Sequence, residues 1–377
     1  MSSQSESAPE AALAAWFDRF NEVDWSEHEA GELPSLLAAI TSDEEAQREK
    51  GREQLYELLL QEEAVSAATP LIVPHLIELL GVSGVLDRAH LLVLLGDLGD
   101  LPKELVQTTE FDEGEPWIVR LRQAHQNVVE GVDAYLALLE DKDEDVRTVV
   151  PYALAVAWQR ADDISGILRQ RLDAEPLDRA RASILLCLGL LNPKGDVPLF
   201  ETHLDKAQPA IVRLAASMAL LKAVGRFAPV EVLELLLDLI KNPEMVRDDY
   251  IQLPWADADV LGDVSLLLAS LREGEQNLSL PPLLATLDEV EGDKALNVVE
   301  AALHVAFGFA EDHEHHAHAP DEEPLERALS GDQRQVIRAL AECHEPWQQQ
   351  VAMRELLDAF DLPMEREDLR DLAEAQH

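Results

Sequence analysis

Little in this chain is suited to redox or metal chemistry. It has two cysteines, Cys187 and Cys343, far apart and each alone. That excludes CxxC-type zinc or redox chemistry and fits a reducing cytoplasm. No uninterrupted apolar run reaches the roughly 18 residues that a membrane span needs. The first dozen residues, MSSQSESAPEAA, have neither a basic n-region nor an apolar h-region, so they read as a frayed terminus and not as a signal peptide. No run of strict apolar/polar alternation lies between hairpin turns, so strands are not expected. There is no GxGxxG after a strand and no GxxxxGK[ST], hence no phosphate cradle. HExxH and GxSxG are missing too. Carboxylate pairs carry no information in a chain with 74 acids. The expectation is a protein that is not an enzyme and uses no cofactor.

Positive charge is also scarce. Lys plus Arg number 30 against 74 Asp plus Glu, a formal net charge of −44. Phosphate backbones repel such a chain, which argues against direct nucleic-acid binding. Anionic membrane surfaces are disfavoured for the same reason. Attraction to a basic partner by long-range steering is the functional reading. Solubility or adaptation to a salty interior is the plain alternative, and eight lysines against 22 arginines suit it equally.

What the chain does have is apolar residues, 47% of the total, spaced by three and four. In AIVRLAASMALLKAVG, Ile211, Leu214, Ala215, Met218 and Leu221 fall on one helical stripe, and Gly225 follows as a stop. From Ile184 to Leu191 the pattern is apolar almost all round, as in a helix covered on several sides. The helices also repeat. Four consecutive segments each run from an apolar helix through a polar turn to an arginine that opens a second helix. Those arginines are Arg147, Arg179, Arg213 and Arg247, spaced by 32, 34 and 34 residues. Arg48 and Arg88 hold comparable places earlier, and LSLPPLLATLDEVEGDKALNVVEAALHVAFG repeats the form without the arginine.

The turn DKDEDVR, the PAIVRLAA two repeats later and LLCLGLL resemble HEAT repeats over roughly residues 31–310. The resemblance implies an all-α fold, an α-solenoid of stacked antiparallel helix pairs. It also implies that Asp143, Asp145 and Arg147, with Arg179, Arg213 and Arg247, form a structural ladder between repeats. Residues 1–30 then form an N-terminal segment. Residues 325–377 hold three short helices with polar outer faces, a C-terminal cap.

Two segments break the register, at about 101–123 and 245–263. Insertions in repeat arrays commonly project on the binding face, and Trp and Tyr anchor interfaces. The candidate partner-binding residues are therefore Phe111, Asp112, Glu113, Glu115 and Trp117 in the first, and Asp248, Asp249, Tyr250, Trp255, Asp257 and Asp259 in the second. A third segment, 311–324, holds His313, His315, His316 and His318 among acids. Pro320 and the surrounding acids make it a solvated linker, with at most weak, adventitious metal binding. The expected function is capture of a basic protein by shape and charge, in the form of an inhibitor or immunity protein for a nuclease-like toxin. A scaffold or adaptor is the neighbouring reading. An accessory resembling HEAT-like pigment or cofactor lyases is the alternative from another class.

Overall fold

The computed structural model describes residues 8–61, 64–101, 105, 116–256, 259–274, 276–308 and 329–374. These residues are overwhelmingly helical, and the protein is all-α. The strands among them are two antiparallel pairs of two residues each: β1 (Leu60–Gln61) with β2 (Ala64–Val65), and β3 (Arg272–Glu273) with β4 (Gln276–Asn277). The chain divides into two compact units, Met1–Asn192 and Pro193–His377. Among the described residues no helix is long and apolar enough to cross a membrane.

The first unit begins with α1 (Ala8–Phe20), α2 (Leu33–Ile40), α3 (Glu45–Leu59), α4 (Thr69–Leu80) and α5 (Arg88–Gly99). It continues with α6 (Pro116–Glu130), α7 (Val132–Ala137), α8 (Glu144–Ala155), α9 (Ala161–Ala174) and α10 (Asp178–Leu191). Helices α2 and α3 pair, as do α4 and α5, α7 and α8, and α9 and α10; α5 also packs along α8, and α8 along α10. At the N-terminal end an aromatic stack fixes α1. Trp16 stacks on Phe20 and Phe20 on Trp25, at 5.0 and 4.7 Å, and His75 of α4 meets the last two edge-on. Trp16 and Phe20 are fully buried, which is worth about 2–3 kcal/mol each.

Two local features let the later helices approach one another. Pro74 interrupts α4 and has no amide hydrogen for the carbonyl of Pro70, four residues earlier. Asn127 of α6 supplies the missing donor, its Nδ2 giving a 2.6 Å bond to Pro70 O. Gly96 and Gly99 lie where α5 is crossed. A Cβ at Gly96 would stand 2.5 Å from the Tyr152 ring of α8, and one at Gly99 2.7 Å from Val156 and 2.9 Å from Val128. The Gly99 carbonyl accepts a 2.7 Å bond from Nδ1 of the buried His125, whose Nε2 accepts from Gln159. The apolar α10 has every residue from Ala182 to Gly189 buried.

The second unit contains α11 (Val197–Thr202), α12 (Ala210–Val224), α13 (Val230–Lys241), the single turn α14 (Arg247–Tyr250) and α15 (Val260–Ala269). It ends with α16 (Leu280–Ala285), α17 (Asp293–Phe307), α18 (Gly331–Glu342), α19 (Gln350–Ala359) and α20 (Arg366–Glu374). Helix α17 is central, packing on α13, α15, α16 and α18. A capping box of Ser330 and Gln333 starts α18. Arg366 closes its other end by donating to the carbonyls of Ala341, Glu342 and Cys343. Asp332, almost buried, ties α18 to the β3–β4 hairpin. It accepts from Arg272 at 2.9 Å and from the amide of Asn277 at 3.1 Å.

Candidate interaction surface

The arginines recur at comparable places in the repeated segments but differ in helix position and in what they hold. Arg48, Arg147 and Arg213 each stand fourth in a helix. Each reaches back to a carbonyl of its own preceding turn: Arg48 to Ser42 O at 2.9 Å, Arg147 to Asp141 O at 2.9 Å and Arg213 to Leu204 O at 3.2 Å. This clamps the turn to its following helix. Arg179 is second in its helix, and Arg88 and Arg247 are first.

In the first unit these cations also join neighbouring helix pairs. Arg48 donates to Asp87 at 3.2 Å, and Arg52 pairs with the same carboxylate. Arg88 grips Asp141 with two bonds of 2.6 and 2.9 Å. The bidentate bond raises the Arg88 pKa and lowers that of Asp141, because each stabilises the other's charged form. Arg147 donates to Glu175 at 3.2 Å, and Arg171 shares that nearly inaccessible carboxylate. Arg179 reaches back to Asp145 at 2.7 Å. Asp143 does different work, capping α8 through a 3.0 Å bond from the Asp145 amide.

In the second unit the periodic arginines do not form such pairs. Arg213 is half-buried and bonds a carbonyl; Arg247 is exposed, and neither has an ion pair among the described residues. Other arginines of this unit do form pairs: Arg226 with Glu273, Arg272 with Asp332 and Arg354 with Glu365.

The partner-binding candidates separate into distinct environments. Phe111, Asp112, Glu113, Glu115 and Asp257 lie outside the described residues, as do His313, His315, His316 and His318. Trp117 is exposed in the first turn of α6. Asp248 and Asp249 are exposed on α14 and Trp255 is half-buried. Asp259 caps α15, accepting from the amides of Leu261 and Gly262 at 2.7 and 3.0 Å, so one of its oxygens is committed to the fold.

Tyr250 departs from the expectation of an exposed anchor. It is 1% exposed, and its hydroxyl donates to Asp263 at 2.6 Å. Four residues, R-D-D-Y, make one helical turn that turns the aromatic inward and the acids outward. Exposed apolar residues flank it instead: Met245 and Ile251, the latter 67% exposed. A second exposed site is Phe227, 75% exposed, under the guanidinium of Arg226 at 4.9 Å. Neither Ile251 nor Phe227 stands out in sequence, because an apolar residue near a helix end reads as core. Among the described residues no group of three His, Cys, Asp or Glu could hold a metal ion. No protein-family model matches the chain, and no curated protein matches it.

Proposed function

We propose that this protein is a non-enzymatic interaction protein, a HEAT-like α-solenoid whose acidic surface captures a basic protein in the cytoplasm. In its sharper form the protein is an inhibitor or immunity protein for a basic, nuclease-like toxin. One observation carries this reading. Much of the small stock of arginine is spent inside the fold, on turn carbonyls and on Asp87, Asp141 and Glu175. Acids such as Asp248 and Asp249 remain on the surface. The exposed surface is therefore strongly negative, which steers a positive partner and rejects a negative one. Ile251 and Met245 beside those acids supply apolar contact at the same place.

The test is affinity capture from native lysate with the full chain and with its D248N/D249N variant, at about 0.05 M and 0.5 M salt, each with and without a chelator. A basic protein held at low salt, released at high salt, indifferent to chelator and held less well by the variant is the expected result. Capture that survives high salt unchanged, or that requires metal, overturns the electrostatic reading.

A further inference from the structure

Among the helices that carry the first unit's arginines, α5 packs along α8 and α8 along α10, but α3 lies along α2 and shares little contact with α5. A cleft of about 110 Å³ opens between α3 and α5. Ile40, Leu55, Leu91 and Leu94 make its floor, none more than 4% exposed. Tyr56 and Val93 form its half-buried edge. The ion pair of Arg52 with Asp87 stands at the mouth beside His90. A cavity of about 150 Å³ holds benzene, so this smaller one suits a single leucine-sized side chain.

The same helix shows what would flank that side chain. Glu45, Glu49, Glu53 and Glu57 recur at every fourth residue of α3, and all are exposed. Glu45 is paired with Arg48 and Arg52; Glu49, Glu53 and Glu57 have no ion pair among the described residues. Like charges four apart weaken a helix by a few tenths of a kcal/mol per pair. The fold gains nothing from them, whereas a cationic chain laid along α3 does. A second copy of this chain, at the same −44, would bring acid to acid.

We infer that the α3–α5 cleft is the seat for a leucine- or isoleucine-sized side chain of a lysine- and arginine-rich segment in a protein partner, with Glu49, Glu53 and Glu57 holding the flanking cations. This rests on the proposed capture of a basic protein and adds the place and the anchor.

The experiment uses a short fluorescein-labelled Lys/Arg peptide with one central leucine and its central-alanine twin, titrated into the full chain at low salt. Burying leucine should make the first bind at least about tenfold tighter. V93W, which fills the cleft, should erase that difference, and E49Q/E53Q/E57Q should weaken both peptides about threefold or more. A photo-crosslinking residue at the central position should label Leu55, Tyr56 or Leu91 in the unmodified protein, a readout independent of how V93W folds. Equal binding of the twins with labelling elsewhere overturns the cleft while leaving electrostatic capture intact. No binding of either peptide overturns both. Self-association in sedimentation that V93W abolishes would put a second copy in the cleft and overturn the assignment.

Discussion

The two units carry the same charge and use it differently. Met1–Asn192 and Pro193–His377 each hold 37 acids and 15 lysines plus arginines, a formal −22 apiece. In the first, Arg48, Arg88, Arg147 and Arg179 each meet a carboxylate, and Asp87 and Glu175 each serve two arginines. In the second, the arginines at the matching spacing, Arg213 and Arg247, meet a carbonyl and solvent. Equal charge and recurring arginines therefore do not imply equal wiring. A buried pair needs a carboxylate at the right place in three dimensions, and Glu175 reaches Arg147 from 28 residues away.

The sharpest way to break this contrast is Glu175→Ala, which strands Arg147 and Arg171 beside a carboxylate site that is 1% exposed. Losing one partner of a buried pair costs about 3–5 kcal/mol. Hydrogen exchange read peptide by peptide should show lost protection across α8, α9 and α10 and none in Pro193–His377. Protection lost equally in both units would end the distinction. Next in size is Asn127→Ala, which leaves the Pro70 carbonyl without its donor; about 1–2 kcal/mol of first-unit stability should go, seen in chemical denaturation. Arg213→Met removes one carbonyl bond and should cost about 1 kcal/mol, read as exchange in α11 and α12. A cost as large as that of Glu175→Ala would mean that the second unit is wired as strongly as the first.

A pH titration sharpens the contrast further. Burial, and secondarily Arg19, lowers the His75 pKa, with Glu78 opposing. The unfolded chain then binds a proton more readily than the folded one. Stability from this group is full above the ordinary histidine range near 6.5 and declines as pH falls through it. The first unit should lose protection between about pH 7 and 5, and H75F should flatten that loss. The smallest effect belongs to Arg247→Ala, within about 0.5 kcal/mol, because its side chain is already in solvent.

Some of this was legible in the sequence. The three-and-four spacing of apolar residues predicts helices throughout, and α12 and α10 run through the stripes that the sequence marks. The arginine at each turn was visible by spacing, but its register was not: 147 and 213 are fourth in their helices, 179 second and 247 first. A shift of two residues rotates a side chain through about 200°, so a regular period fixes recurrence and not direction. Tyr250 shows the same limit, its side chain turned inward directly after two aspartates that face out. The glutamates of α3 are readable at their four-residue interval; the cleft beside them is not, because Leu55 and Leu91 are 36 residues apart.

By itself the sequence determined the all-α character, the acidic excess and the recurrence of a helix–turn–arginine unit. These follow from local periodicity and composition, which act over a few residues. Tertiary structure alone decided which arginines find carboxylates, that Tyr250 is core, and where α3 and α5 fail to close. Those outcomes depend on which distant helices touch, and contact between distant residues is set by packing of the whole unit and not by any one segment.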